Sequence, residues 1–232
     1  MTPPAFIPRL EGFHWDQPLG KVVCVGRNYA EHAAELNNPV PTEPLLFIKP
    51  ATAAVPLEQP LSLPTGKGQV HYETELALLI GTRVNQADPA RALQAVYGVG
   101  LALDLTLRDL QQQLKEKGHP WEKAKAWDAS CPLSTFVPAA AVKDWNQLEI
   151  SLKINGQERQ RGRSSQLLTP LAELLGYISH HFTLLPGDVV LTGTPAGVGA
   201  LQTGDRLELE LAEHLRVEHL RVEHLKLQTR VE

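Results

Sequence analysis

Two cysteines, Cys24 and Cys131, are all that the 232 residues contain. That is too few for a disulfide framework, and the pair lacks the spacing of a zinc site. Cys24 sits in the apolar run Val22-Val23-Cys24-Val25, where a small buried hydrophobe is expected rather than a nucleophile. Basic runs interleaved with aromatics are also missing, and a formal net charge of −4 with a pI near 6.1 gives no footprint for a phosphate backbone, so nucleic acid is not an expected partner. Nowhere do 18 apolar residues follow one another, and residues 1–8 carry no basic segment leading into an apolar one. These absences predict a soluble, cytoplasmic protein with no membrane partner. Neither a G-x-G-x-x-G opening a helix after a strand nor a Walker loop occurs, which leaves a nucleotide cofactor without an anchor.

With 43% hydrophobic and 21% charged residues, the composition is that of a globular chain able to bury a core. The first 18 residues hold four prolines and little periodicity, the pattern of an extended arm laid over the body. Residues 19–232 are then expected to form a single domain.

Within it, 21–25 reads as a buried strand, Gly26-Arg27-Asn28 as the turn leaving it, and 29–36 as a short helix ended by Asn37-Asn38-Pro39. A second strand covers 45–48, and the Pro-, Gly- and Ser-rich loop 51–67 should either pack down or act as a lid. Strand character runs through 70–84, and its unbroken run Leu76-Ala77-Leu78-Leu79-Ile80 suits a strand covered on both faces. Asp88-Pro89 begins a helix through 96, 97–103 returns as strand, and 106–117 reads as a helix stopped at Gly118. Asn155-Gly156 marks a type I′ hairpin between 150–154 and 157–161. Apolar residues recur at helical spacing over 167–182, and late strands fall at 188–191 and 206–211. Strands outnumber helices, which predicts an α+β, mainly β fold: a rolled mixed sheet with short flanking helices.

The tail repeats Leu-Arg-Val-Glu-His at 215–219 and 220–224. A period of five reverses strand parity at each copy, so the two copies cannot continue one half-buried strand in register. His214, His219 and His224 share that spacing of five rather than the i, i+4 spacing of helical metal ligands, and read as surface histidines.

Chemistry concentrates in His71-Tyr72-Glu73-Thr74-Glu75-Leu76. Glu73 and Glu75 are two apart on a strand and share a face. An E-x-E pair is commonly a solvated edge, but this strand runs into an apolar core, where adjacent carboxylates need a cation. Asp104 ends the next apolar strand and is the third ligand candidate; Asp109, inside the following helix, is adequately read as a helix charge. Three carboxylates suit Mg²⁺ first and Mn²⁺ second. His32 and Glu35 lie three apart on a helix, where a carboxylate can orient an imidazole, although a surface pair is the commoner case. Lys125 is either a clamp for a developing negative charge or a surface lysine. Thr192-Gly193-Thr194-Pro195-Ala196-Gly197-Val198-Gly199 offers hydroxyls and approachable amides for a substrate carboxylate, or simply a tight loop.

Taken in order, Gly26-Arg27-Asn28-Tyr29 with His32 and Glu35, Phe47-Ile48-Lys49-Pro50, His71-Tyr72-Glu73-Thr74-Glu75, Ala102-Leu103-Asp104-Leu105-Thr106 and Thr192-Gly193-Thr194-Pro195 resemble the fumarylacetoacetate hydrolase superfamily over nearly the whole chain. The resemblance is to its short single-domain branch of acylpyruvate hydrolases, oxaloacetate decarboxylases and tautomerases, and 2-hydroxyhepta-2,4-diene-1,7-dioate isomerases. It implies a homodimer and a divalent metal on Glu73, Glu75 and Asp104. It also implies a water-activating dyad of His32 and Glu35 on a segment that closes over ligand, a polarising Lys125, and substrate contacts from Arg27, Lys49, Gln111 and Thr194. The duplicated pentapeptide departs from the family pattern.

The expected activity is Mg²⁺-dependent hydrolysis of the C–C bond of a small 2,4-dioxo acid through a metal-stabilised pyruvate enolate. Oxaloacetate tautomerisation or decarboxylation and dienedioate isomerisation are the alternatives. A protein of another class, one that binds metal and an organic acid without catalysis, would need the carboxylates but not the dyad.

Overall fold

Strands dominate the chain and roll into a mixed, mainly β half-barrel with few short helices, as the sequence predicts. The computed structural model describes residues 5–215 and 220–232. In chain order the strands are β1 (Lys21–Gly26), β2 (Leu45–Pro50), β3 (Ala54–Pro56), β4 (Val70–Tyr72), β5 (Thr74–Ile80), β6 (Val96–Leu103), β7 (Thr106–Leu107), β8 (Cys131–Leu133), β9 (Val137–Pro138), β10 (Leu148–Ile154), β11 (Gln157–Arg163), β12 (Val189–Leu191), β13 (Gly199–Ala200), β14 (Arg206–Leu215) and β15 (Leu220–Arg230). The helices are α1 (Ala30–Glu35), α2 (Pro89–Gln94), α3 (Arg108–Glu116), α4 (Glu122–Lys125) and α5 (Leu171–His181).

The large sheet runs β2-β1-β12-β5-β6-β8-β3, with β9 also on β6; β11-β10-β14-β15 and β13-β4-β7 form two smaller sheets. Among the named strands of the described residues, β1 with β12 and β3 with β8 pair in parallel and the others antiparallel. Alternation along the central strands feeds two cores. Val23 and Val25 of β1 join Leu76, Leu78 and Ile80 of β5 in one cluster, while Val22, Cys24, Ala77 and Leu79 join the other. Every residue of β5 is therefore buried, which is why it reads as a continuous apolar run rather than an alternating one. Each fully buried Leu or Val contributes roughly 1.5–3 kcal/mol. Both cysteines belong to the second cluster; burial pushes the Cys131 thiol up to about 12 and the Cys24 thiol well up too, as expected of packing residues.

Several boundaries differ from the sequence pattern, each for a tertiary reason. The strand expected over 70–84 breaks at Glu73, because β4 pairs with β7 and β13 whereas β5 pairs with β6 and β12. Thr106 and Leu107 are strand rather than helix, since they pair with His71 and Val70, and α3 starts only at Arg108. The late helix starts at Leu171, because Pro170 biases Thr169 away from helical dihedrals. Loop 51–67 packs down: Leu57 and Leu61 are buried, and the Leu61 backbone bonds to Arg230 and Glu232. The hairpin forms as expected, with Asn155 and Gly156 at φ of 53° and 78°.

The N-terminal segment lies along the body. Phe136 exchanges backbone hydrogen bonds with Arg9 and Glu11, and Phe13 and Trp15 pack on Tyr97. In the tail, β14 and β15 pair antiparallel. The reading of the repeat falls partly on residues 216–219, and it and the reading of His214, His219 and His224 as surface groups lie outside the described residues and side chains.

Candidate functional site

A junction in the sheet creates the site. Glu73 alone separates β4 from β5, and its carbonyl accepts the Asp104 amide at 2.8 Å, so the residue after β6 lies opposite the residue before β5. Glu75, two positions on, shares the face of Glu73. The three carboxylates offer oxygens all within 4.8 Å of one another, and all three residues are buried. Asp109 is not among them; its Oδ2 accepts the Gln69 amide instead.

Three anions at that spacing require compensation. Burial pushes the Glu75 carboxyl well above its ordinary range, and Asp104 and Glu73 push it further. The Glu75 Oε2 accepts the Gly193 amide at 2.6 Å. Burial also pushes Glu73 up, but Lys125 and Arg108 outweigh it and hold this carboxyl well below the usual range. Lys125 Nζ lies 2.7 Å from Glu73 Oε2 and 2.6 Å from Asp104 Oδ2. Burial disfavours its charge, yet those carboxylates prevail and raise its pKa. Lys125 is therefore a buried ammonium, not a surface lysine.

Lys49 is fully buried, and it does not line the cavity formed around the triad. It stands behind Asp104, 2.8 Å from Oδ1, and donates to the carbonyls of Lys125 and Ser130 and to Ser130 Oγ. Asp104 Oδ1 thus feels a cation but receives no directional hydrogen bond, because the ammonium protons go to other acceptors. That oxygen keeps lone-pair capacity for a further partner. An oxygen-only donor set with such an atom fits a hard divalent cation, and Glu73, Glu75 and Asp104 are the residues that would hold it.

The dyad stands on α1, a six-residue helix without a side-chain N-cap that is too short to persist on propensity. Tertiary bonds hold its start. Buried Asn28 donates to the carbonyls of Thr169 and Thr192 and accepts the Thr169 amide. His32 Nδ1 lies 3.2 Å from Glu35 Oε2, and Glu35 Oε1 accepts the Gly197 amide at 3.0 Å. Nε2 is the imidazole nitrogen left for other partners, and His32 lines the cavity.

Arg27, Gln111 and Thr194 also line that cavity. The Thr194 hydroxyl is already engaged, donating to the Thr74 carbonyl and accepting from Gln160. Arg108 and Lys115 are cavity residues that the sequence pattern did not single out. Arg108 pairs with Glu73, donates to Gln111 Oε1 at 2.7 Å, and keeps a buried Nε without a partner. A signal was present: Arg108, Gln111, Gln112 and Lys115 recur at i, i+3, i+4 and i+7, one face of a helix that follows Asp104.

This chain, a rolled mixed sheet around a carboxylate-lined cavity, is similar to enzymes. It belongs to the fumarylacetoacetate hydrolase family, whose model, fumarylacetoacetate (FAA) hydrolase C-terminal, matches residues 21–223. The chain is 51% identical over 205 residues to an oxaloacetate tautomerase, YcgM of Escherichia coli strain K12, covering 88% of this chain and 94% of the relative. It is 43% identical over 187 residues to the mitochondrial oxaloacetate tautomerase of Homo sapiens, covering 81% and 85%. A crystal structure of fumarylpyruvate hydrolase from Pseudomonas aeruginosa in complex with Mn²⁺ and pyruvate superposes with a TM-score of 0.88 at 38% identity, covering 100% of this chain and 97% of that one. Among the described residues no helix is long and apolar enough to cross a membrane.

Proposed function

We propose that the protein interconverts the keto and enol forms of oxaloacetate, with Mg²⁺, or Mn²⁺ in its place, held by Glu73, Glu75 and Asp104. The observation that carries this reading is 51% identity, over 88% of the chain, to an oxaloacetate tautomerase. It reverses the order drawn from the sequence, which put C–C hydrolysis first.

When bound, the cation supplies a Lewis acid for the oxygens of the 2-oxo acid head. In passing from enol to keto, a proton leaves the C2 hydroxyl and one arrives at C3, with no bond between heavy atoms broken. His32 Nε2 accepts the hydroxyl proton and delivers one to C3, while Glu35 on Nδ1 fixes the ring and favours the imidazolium between the two transfers. Lys125, kept charged by Asp104 and Glu73, offsets the negative charge that gathers on the C2 oxygen. Burial of His32 leaves the imidazole little exposed to bulk water.

Hydrolysis of a 2,4-dioxo acid is the second reading. It is favoured by the Glu35-supported His32, a pair suited to activating water, and by the likeness to fumarylpyruvate hydrolase. The test is turnover by pure enzyme with Mg²⁺, following oxaloacetate enol absorbance, acetylpyruvate diketone absorbance and pyruvate separately. Fast enol loss without matching pyruvate supports the tautomerase; diketone loss with stoichiometric pyruvate supports the hydrolase. Loss of metal-dependent turnover in Glu73→Ala would exclude a binding protein without catalysis.

A further inference from the structure

Two cations that pair with none of the clustered carboxylates also line the cavity. Lys115 reaches it from the last turn of α3 and Arg27 from the turn between β1 and α1. Arg108, on the same helix face, is committed to Glu73 and Gln111. Arg27 and Lys115 take part in no ion pair among the described residues, and Lys115 Nζ donates only to the neutral Asn38 Oδ1 at 2.7 Å. Burial lowers the Lys115 pKa and the Arg27 and Arg108 guanidiniums lower it further, with only Glu116 opposing them. The carboxylates lining the cavity are Glu73, Glu75 and Asp104, all of them in the metal cluster. Cations gathered in one cavity with so little counter-charge repel one another until an anion enters.

We propose that Lys115 and Arg27 form the receptor for the distal carboxylate of a dianionic 2-oxo acid, with Lys115 the residue that separates such substrates from monoanionic ones. This rests on the proposed function to the extent that the 2-oxo acid head is oriented toward Glu73, Glu75 and Asp104. With the head there, the anionic cluster repels the C4 carboxylate of oxaloacetate, and the uncommitted cations lining the same cavity attract it. A methyl group at that position would leave them uncompensated. Asn38, the present partner of Lys115, lies three residues beyond Glu35, so a carboxylate bound at Lys115 also bears on the segment that carries the dyad.

The probes are malate and 2-hydroxybutyrate, which share a 2-hydroxy acid head and differ in a distal carboxylate against a methyl. Neither has a keto group to enolise, so calorimetry on the Mg²⁺-loaded protein reads equilibrium binding alone. The wild type should bind malate more tightly. Lys115→Met should weaken malate about tenfold or more, the size of a lost charge-assisted hydrogen bond, and leave 2-hydroxybutyrate within about twofold. Lys115→Arg should keep most of the preference, and Arg27→Met should lose it. An unchanged Mn²⁺-induced rise in melting temperature would show that the Lys115→Met fold and metal site are intact. Equal affinity for both acids in the wild type, or a preference unchanged in Lys115→Met, would overturn the receptor. If oxaloacetate is not interconverted but the malate preference collapses in Lys115→Met, the functional reading fails and the receptor stands. If interconversion is intact and the preference is unaltered in Lys115→Met, the receptor fails and the functional reading stands.

Discussion

Lys125 and Asp104 meet at 2.6 Å on the floor of the cavity, and the same ammonium lies 2.7 Å from Glu73. In the metal-free protein this lysine offsets the charge of Glu73 and Asp104. Removing one member of a buried ion pair costs about 3–5 kcal/mol because the other charge stays buried. Lys125→Met should therefore lower the metal-free melting temperature sharply, and Mg²⁺ or Mn²⁺ should raise it by more than in the wild type. Calorimetry with and without metal reads both; equal metal-induced shifts would mean that Lys125 carries no such compensation.

Gly193 is held at a φ of +97°, and a Cβ there would come within 2.8 Å of the Asn28 Cβ. Its amide is the one that binds Glu75. Gly193→Ala combines an unfavourable dihedral with a collision, together costing roughly 1–3 kcal/mol of stability. The shift should also move the amide off Glu75 and weaken metal binding, which calorimetric titration with Mn²⁺ measures. Wild-type affinity in a destabilised variant would separate the fold from the ligand geometry.

Burial and the neighbouring carboxylates raise the Glu75 pKa, so the folded, metal-free protein holds a proton that the unfolded chain gives up near the ordinary value of about 4.3. A state that binds more protons loses ground as pH rises. Between that value and the folded one, Glu75 should make the metal-free protein progressively less stable with rising pH. Glu73 has the opposite sign: its depressed pKa gives stability that is present above the ordinary value and lost as pH falls through the folded one. Melting temperature against pH in EDTA should flatten in Glu75→Gln, and metal binding by the wild type should release protons. A pH slope unaltered by that substitution would contradict the assignment.

Arg27 adopts a φ of +59°, a left-handed backbone that costs a side-chain-bearing residue roughly 1–2 kcal/mol. Arg27→Gly removes that strain, so its melting temperature should hold or rise while oxaloacetate turnover falls. A fall in both would show that the arginine supports the turn rather than the cavity.

The carboxylate cluster was legible because it follows from strand parity and strand ends: Glu73 and Glu75 alternate onto one face, and Asp104 terminates the next apolar run. His32 and Glu35 were legible by helical spacing. The settings of Lys49 and Arg108 were not, since they depend on distant segments; helical spacing marks the face that Arg108 shares with Lys115 but not what that face meets. The burial of Lys49 depends on carbonyls from Lys125 and Ser130, about 80 residues away. Arg108 looks like an ordinary helix-surface charge until β7 pairs with β4 and turns the start of α3 toward Glu73. The break at Glu73 was hidden for a related reason: propensity favours one continuous strand, and only the choice of partner strands divides it.

The most direct measurement is stopped-flow decay of oxaloacetate enol absorbance by the Mg²⁺-loaded protein, with pyruvate assayed in parallel, for the wild type and His32→Ala. The expected result is fast enol to keto conversion without matching pyruvate in the wild type, and a loss on the order of 10²-fold or more in the variant with its metal affinity intact. Unchanged conversion in His32→Ala, or no acceleration by the wild type alongside stoichiometric pyruvate from a 2,4-dioxo acid, would contradict it.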